Sequence, residues 1–149
     1  MPISIRLAQA DDAETVWALT RELAVFEELD NAFVATEEDF RREISKPDSV
    51  LTVLLAEVDG AIAAYAVCYL TFSTFSCRRG LWLEDLYVRP EFRRQGIARA
   101  LMDDMASRSE GRFEWEVLNW NENAIALYEA YGARSQVGWT KYRLTPHTA

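Results

Sequence analysis

The sequence is short of the residues from which thiol, imidazole and metal chemistry are built. Among 149 residues there are two cysteines, Cys68 and Cys77. They form no C-x-x-C pair, so neither a disulfide framework nor a metal site is expected, and both thiols are expected to be reduced. The single histidine, His147, lies in the last three residues and beyond every element with a clear pattern, which leaves the body of the chain without an imidazole for acid–base work. Six glycines and four prolines, against 50% hydrophobic and 12% aromatic residues, exclude collagen-like and low-complexity classes and describe one packed domain over residues 1–149. The longest apolar run, Ala61 to Leu70, is half of the roughly 20 residues that a membrane helix needs, so no membrane partner is expected. The opening Met1-Pro2-Ile3-Ser4-Ile5-Arg6 lacks a charged start followed by an apolar segment, and a cytoplasmic location is expected.

Positive charge is also scarce, and unevenly so. The first 60 positions hold 14 acidic and 5 basic residues, while positions 61–149 hold 10 and 11. An acidic field repels phosphate backbones and concentrates cations, so nucleic acid is not the expected partner and a small cationic molecule fits; acid that keeps the protein in solution is the plainer reading of the same charge.

Periodicity divides the chain into alternating elements. Ile3, Ile5 and Leu7 alternate as in a half-buried strand. Asp11 or Asp12 caps a helix with the stripe Val16, Leu19, Leu23 and Phe26, ending near Glu28. Thr36-Glu37-Glu38-Asp39 reads as a capping box opening a helix that Lys46-Pro47 stops. Val50 to Val58, the turn Asp59-Gly60 and the run Ala61 to Phe75 predict a hairpin. Leu81 to Val88, a helix from Gly96 with Ile97, Leu101 and Met105 on one stripe, and Arg112 to Val117 predict a βαβ unit. A last helix over 121–131, stopped by Gly132, and a final strand over Trp139 to Leu144 complete the pattern.

The segment Arg89-Pro90-Glu91-Phe92-Arg93-Arg94-Gln95-Gly96-Ile97-Ala98-Arg99 carries four arginines and one glutamate between a strand and a helix start. Free N–H groups and the helix dipole favour an anion there, and Gly96 lets the backbone come close to it. A capped surface loop is the plainer reading of the same residues. Arg93 to Ala98 matches the R/Q-x-x-G-x-G/A signature, and Leu86-Tyr87-Val88-Arg89-Pro90 precedes it. With the order of elements, this resembles the GNAT superfamily of acyl-CoA-dependent N-acetyltransferases over nearly the whole chain. Leu81-Trp82-Leu83-Glu84-Asp85-Leu86-Tyr87-Val88 and Trp120-Asn121-Glu122-Asn123-Ala124-Ile125-Ala126-Leu127-Tyr128 resemble blocks of its spermidine/spermine (diamine) and thialysine acetyltransferases, and Glu22-Leu23-Ala24, Glu27 and Gly138-Trp139 extend the match.

The resemblance implies an α+β (α/β) fold, with a mixed central sheet whose splayed parallel strands open an acetyl-CoA cleft, flanked by helices. It implies a homodimer and acetyl-CoA as cosubstrate, with no metal. The backbone of Leu86 and Val88 would pair with the pantetheine arm, Arg94, Gln95, Gly96, Ile97, Ala98 and Arg99 would hold the pyrophosphate, and Tyr87 and Arg93 would belong to the same cofactor site. Asn121, Asn123, Ala124 and Tyr128 would complete the cofactor site. Phe26, Glu27, Glu84, Asp85 and Trp120 would meet the substrate.

Acetyl transfer from a thioester to an amine needs an unprotonated amine, a stabilised oxyanion and a proton for the departing thiolate. Glu84 is the candidate base, because an acid inside an apolar strand is costly to bury without a purpose and the resemblance puts the proposed base there. A solvent-facing residue on an alternating strand is the other reading. Asp85 is expected on the opposite face, as a structural acid or a contact for a second amine. Tyr128 is the candidate general acid, one stripe with Asn121 and Ala124 at spacings of three and four; alone, Tyr128 also fits a core residue and Asn121 a helix cap. Phe26 stands where the polyamine enzymes carry Tyr; Ser73, Asn119 and Gln136 stand nearest to where they carry acids, and losing those carboxylates weakens a long polycation site, so a shorter or amino-acid-like amine such as thialysine fits at least as well as a polyamine. Arg78 and Arg79 are candidate contacts for a substrate carboxylate. The expected function is transfer of acetyl from acetyl-CoA to the primary amine of a small cationic or amino-acid-like metabolite by direct attack. Two alternatives stand beside it: acetylation of a protein amino terminus or lysine, and a non-catalytic acyl-CoA-binding module.

Overall fold

A computed structural model describes residues 2–147; Met1, Thr148 and Ala149 lie outside the description. Its elements run β1 (Ile3–Leu7), α1 (Ala13–Phe26), α2 (Glu37–Ser45), β2 (Leu51–Val58), β3 (Ala61–Ser73), β4 (Arg78–Val88), α3 (Ile97–Ser107), β5 (Phe113–Glu114) and α4 (Glu122–Ala130). The chain divides into two compact units, residues 1–116 and 117–149. The sheet belongs to the first, with strand order β1-β2-β3-β4-β5. The first four strands pair antiparallel, and β5 joins β4 in parallel after the α3 crossover.

Two cores cover the two faces of this sheet. β2 and β3 sit at its centre and are buried on both sides, which is why their sequences read as nearly unbroken apolar runs. On one face Leu54, Ala56, Ala64, Ala66, Cys68, Leu81 and Leu83 pack against Ile97, Leu101 and Met105 of α3. On the other, Val53, Leu55, Tyr65, Val67 and Tyr87 pack against Val16, Leu19 and Leu23 of α1, with Phe40 and Ile44 of α2 beside them. Each central strand thus contributes alternate side chains to opposite cores, which fixes its register. Among the described residues no helix is long and apolar enough to cross a membrane.

Local chemistry places the ends. The Thr36 side chain accepts from the Asp39 N–H while the Asp39 carboxylate accepts from the Thr36 N–H, forming the expected capping box. Asp59 and Gly60, at φ of 51° and 80°, close the β2–β3 hairpin in the left-handed conformations that this turn needs. Gly80 serves close approach instead: a β-carbon there would stand 2.6 Å from the Arg112 carbonyl oxygen, where the segment leading into β5 lies on β4.

Three expectations are corrected. Phe26 does not complete the buried stripe of α1; it is 41% exposed. The strand foreseen over 112–117 contracts to Phe113–Glu114, paired with Leu81 and Trp82. Residues 139–144 form no strand. The side-chain pattern there is strand-like, but a strand exists only through a ladder partner, and Trp139, Tyr142 and Leu144 remain 85–91% exposed.

Candidate active site

β4 does not run as a regular strand. Leu83 pairs with Cys68 and Asp85 with Val67, so Glu84 is an extra residue, a β-bulge in which Glu84 and Asp85 together oppose Val67. Leu81 and Leu83 face α3 before the bulge, and Leu86 and Val88 face α3 after it. Glu84 and Asp85 therefore share the α1 side. The expectation that they point to opposite faces fails because strict alternation ends where a residue is inserted.

The two acids have different surroundings. Glu84 is exposed, its Oε1 accepting from Trp82 Nε1 at 3.4 Å. Asp85 is withdrawn beside Tyr65, and burial, followed by the charges of Glu84 and Glu27, pushes its carboxyl up to about 7. Glu27, at the C-terminal end of α1, is also raised by burial. The cost of drawing an acid of this strand away from water, argued from sequence for Glu84, falls on half-buried Asp85 instead. The hydrophobic pattern carried the signal: apolar positions fall on 81 and 83 and then on 86 and 88, a slip of one residue that announces the bulge.

Below this acid site the β4–α3 loop is fixed from behind. Arg89 donates through Nε and Nη2 to the Glu22 carboxylate at 3.0 to 3.3 Å, and through Nη1 to the Ile62 carbonyl at 3.1 Å. Arg93 Nε donates to the Val88 carbonyl at 3.0 Å, and its guanidinium lies 5.3 Å from the Phe26 ring centroid and 5.8 Å from that of Tyr87. Arg89 and Arg93 are thus bound to protein groups. That accounts for half-exposed Phe26, whose ring supports a cation instead of filling the core.

The remaining loop has the properties of an anion cradle. Arg94 adopts φ of 63° and Gly96 φ of 80°, conformations that turn the chain into α3. Gly96 is the N-cap of α3, no side chain caps that end, and no acid lies in its first turn. Unsatisfied N–H groups and the helix dipole are therefore presented together with exposed Arg94, Gln95 and Arg99. Among the described residues, the edge of β4 that met β5 has no ladder partner beyond Trp82, through Leu86, Tyr87 and Val88. Ile97 and Ala98 lie in the first turn of α3, with Ile97 buried in the core under the loop.

In the second unit, Asn121 is the N-cap of α4 and accepts from the Ala124 N–H at 3.3 Å. Asn123 is exposed; Ala124 and Tyr128 are half-buried. The Tyr128 carbonyl accepts from Ala133 N–H at 3.0 Å, closing the helix at Gly132, whose φ is 101°. Trp120, just before the cap, is 51% exposed.

Arg78 and Arg79 stand at the far end of β4. Along the β3 ladder Arg79 stands five pairs from Asp85, about 17 Å at roughly 3.3 Å per residue.

The profile of the Acetyltransferase (GNAT) family matches residues 14–133. The chain belongs to the GNAT acetyltransferases. It is 36% identical over 141 residues to a thialysine N-epsilon-acetyltransferase of Caenorhabditis elegans, covering 90% of this chain and 86% of the worm protein. It is 27% identical over 190 residues to an L-ornithine N5-acetyltransferase of Arabidopsis thaliana, covering 95% and 83% of the two chains. The crystal structure of a ribosomal-protein-alanine N-acetyltransferase from Brucella melitensis shares the fold, with a TM-score of 0.77 and 22% identity over 97% of this chain and 99% of that one. This GNAT chain is an acetyl-transferring enzyme, and its five-stranded mixed sheet flanked by helices is the architecture of its structural relatives.

Proposed function

We propose that this enzyme transfers acetyl from acetyl-CoA to the primary amine of a small amino-acid-like or cationic metabolite, by direct attack and without a covalent enzyme intermediate. The observation that carries the reading is the pair of features along β4: a half-buried acid site at Asp85 and Glu27, and an uncapped α3 N-terminus at the strand's end.

The residues present suit the cosubstrate. Acetyl-CoA supplies the thioester; the first turn of α3, with Arg94 and Arg99, has the donors that a pyrophosphate needs. The unpaired edge of β4 at Leu86 to Val88 offers peptide groups to an extended arm. Both cysteines are left out of the reaction: Cys68 is buried, with its thiol pushed up to about 12 by that burial, and Cys77 lies in the β3–β4 turn away from both features.

In this reading Asp85 takes the proton and Glu84 and Glu27 draw in the ammonium. An alkylammonium near about 10.4 transfers its proton to a carboxylate poised at about 7 far more readily than to one of ordinary acidity. Tyr128 is assigned to protonate the departing thiolate, and Asn121, Asn123 and Ala124 to line the cofactor, on the resemblance of their block. Trp120 is assigned to the substrate on the same basis, and the enzyme is taken to act as a homodimer.

Relatives named for thialysine and ornithine acetylation, together with Ser73, Asn119 and Gln136 in place of acids, favour the side-chain amine of an amino acid over a long polycation. The test is release of CoA thiol from acetyl-CoA across thialysine, ornithine, lysine, spermidine, small diamines, aminoglycosides and amino-terminal peptides. The expected result is turnover confined to the amino-acid and short diamine group. Turnover of peptides alone would overturn the metabolite reading, and tight acetyl-CoA binding with no turnover of any amine would overturn catalysis on this class.

A further inference from the structure

On β3 the core under α1 ends at Val67, and the same face of the sheet continues beyond it. Leu81 and Leu83 face α3, so Arg78, Gly80 and Trp82 point the other way, to the side that carries Glu84 and Asp85. Their ladder partners on β3 are Ser73, Thr71 and Tyr69, and on the other flank Glu114 of β5 pairs with Trp82, which puts Arg112 beside Gly80. Thr71, Ser73, Arg78, Gly80, Arg112 and Glu114 line one small hollow on this face. The missing side chain of Gly80 keeps it open, since a β-carbon there would stand 2.8 Å from Thr71 Oγ1.

The hollow holds two cations and one carboxylate. Arg78 and Arg112 are exposed and Glu114 is half-buried. Among the described residues, the ion pairs engage other side chains, and none includes Arg78, Arg112 or Glu114. Between the hollow and the acid site lie Trp82 and Tyr69, half-buried and directly opposite each other. Trp82 Nε1 donates to Glu84 Oε1 at 3.4 Å, which ties the indole to the acid end. The face thus carries carboxylates at one end, an aromatic floor in the middle and guanidinium groups at the other end.

We propose that this hollow binds the α-amino-carboxylate head of an amino acid whose side-chain amine meets Asp85, with Arg112 and Arg78 on the carboxylate, Glu114 on the α-ammonium and the aliphatic stem across Trp82. The inference deepens the proposed function and rests on its placing of the amine at Asp85. Length and charge both favour it. From Val67, the partner of Asp85, to Thr71, the partner of Gly80, is four residues of β3, about 13 Å at roughly 3.3 Å per residue. In extended lysine six bonds of about 1.5 Å separate the side-chain nitrogen from the carboxylate carbon, an end-to-end distance of about 7.5 Å. A hydrogen bond of about 2.8 Å at each end brings the span to about 13 Å. A diamine of the same length would set its second ammonium against two guanidinium groups, whereas a carboxylate satisfies both. Arg79 alternates with Arg78, points to the opposite face and takes no part.

The experiment compares lysine with ε-aminocaproate, which lacks the α-ammonium, and with cadaverine, which lacks the carboxylate, by release of CoA thiol in the full chain and its variants. Arg112→Gln should lower kcat/KM for lysine and for ε-aminocaproate at least tenfold relative to cadaverine, the scale of a lost charge-assisted hydrogen bond. Arg78→Gln should act in the same direction, and Glu114→Gln should lower kcat/KM for lysine relative to ε-aminocaproate. Arg79→Gln removes the same charge from the opposite face and should move neither ratio. Ratios that stay in place in Arg112→Gln and Glu114→Gln, or that move as far in Arg79→Gln, overturn the hollow as the head-group site while acetyl transfer stands. If none of the three compounds is turned over, acetyl transfer to this class falls, and calorimetric titration of lysine and cadaverine into the wild type and Arg112→Gln decides the hollow by the same ratio.

Discussion

Replacing Asp85 by Asn should make the protein more stable and less active, with a pH dependence that identifies the cause. Asp85 is pushed from its ordinary 3.8 up to about 7 by burial and by two neighbouring carboxylates. A carboxyl whose value rises on folding stabilises the fold only in its protonated form. That contribution is complete below 3.8 and is lost as the pH rises through about 7. A shift of roughly three units at 1.36 kcal/mol each amounts to about 4 kcal/mol above neutrality. Asn keeps the shape and carries no charge, so the variant's advantage should be near zero at pH 3.5. It should widen by about 3 kcal/mol between pH 4.5 and 8.5. For a chain of this size that corresponds to about 10 °C in Tm at high pH. Urea unfolding of both proteins at several pH values reads the difference directly. An advantage independent of pH, or a wild type that gains on the variant as pH rises, would refute the account of Asp85. Acetyl transfer should meanwhile fall steeply, the exchange of stability for function expected where a strained group does the chemistry.

Other variants test other parts of the structure. Gly80→Ala should cost about 1 to 3 kcal/mol in urea unfolding, because its β-carbon meets the Arg112 carbonyl and Thr71 Oγ1 at 2.6 and 2.8 Å. Arg93→Met keeps the stem but removes two ring contacts and the donor to the Val88 carbonyl; a loss of about 1 kcal/mol is expected by the same measurement. Tyr128→Phe should lower kcat far more than the affinity for acetyl-CoA measured by calorimetry; an unchanged kcat removes it from the role of acid. Arg94→Glu should raise the Kd for acetyl-CoA at least tenfold, as an acid placed at a helix N-terminus opposes a pyrophosphate.

What the sequence reveals about this chain, and what it conceals, follow from the range of the interactions involved. The α3 stripe, the capping box at Thr36 and the Asp59-Gly60 turn are local, and each forms where its pattern lies. Residues 139–144 carry a strand's alternation without a strand, since pairing depends on what lies alongside and not on the segment itself. The same limit hid Arg89 and Arg93. Their partners, Glu22 and Phe26, are 67 residues away from each in sequence, so four arginines in a row of eleven residues looked equally available. Asp85 was misplaced for a different reason. Its neighbour Glu84 breaks the period on which the assignment of faces depended, although the positions of Leu83 and Leu86 record that break.

The insertion at Glu84 has a consequence for how this strand can change. A regular pleat offers one side chain per face for every two residues, whereas here two carboxylates stand consecutively on one side. Removing residue 84 outright would restore an unbroken ladder and still leave Asp85 and Tyr87 toward α1, and Leu83, Leu86 and Val88 toward α3. The paired acids are therefore a modular addition to the sheet. A one-codon deletion at this position would remove one of the two carboxylates while leaving both cores in register.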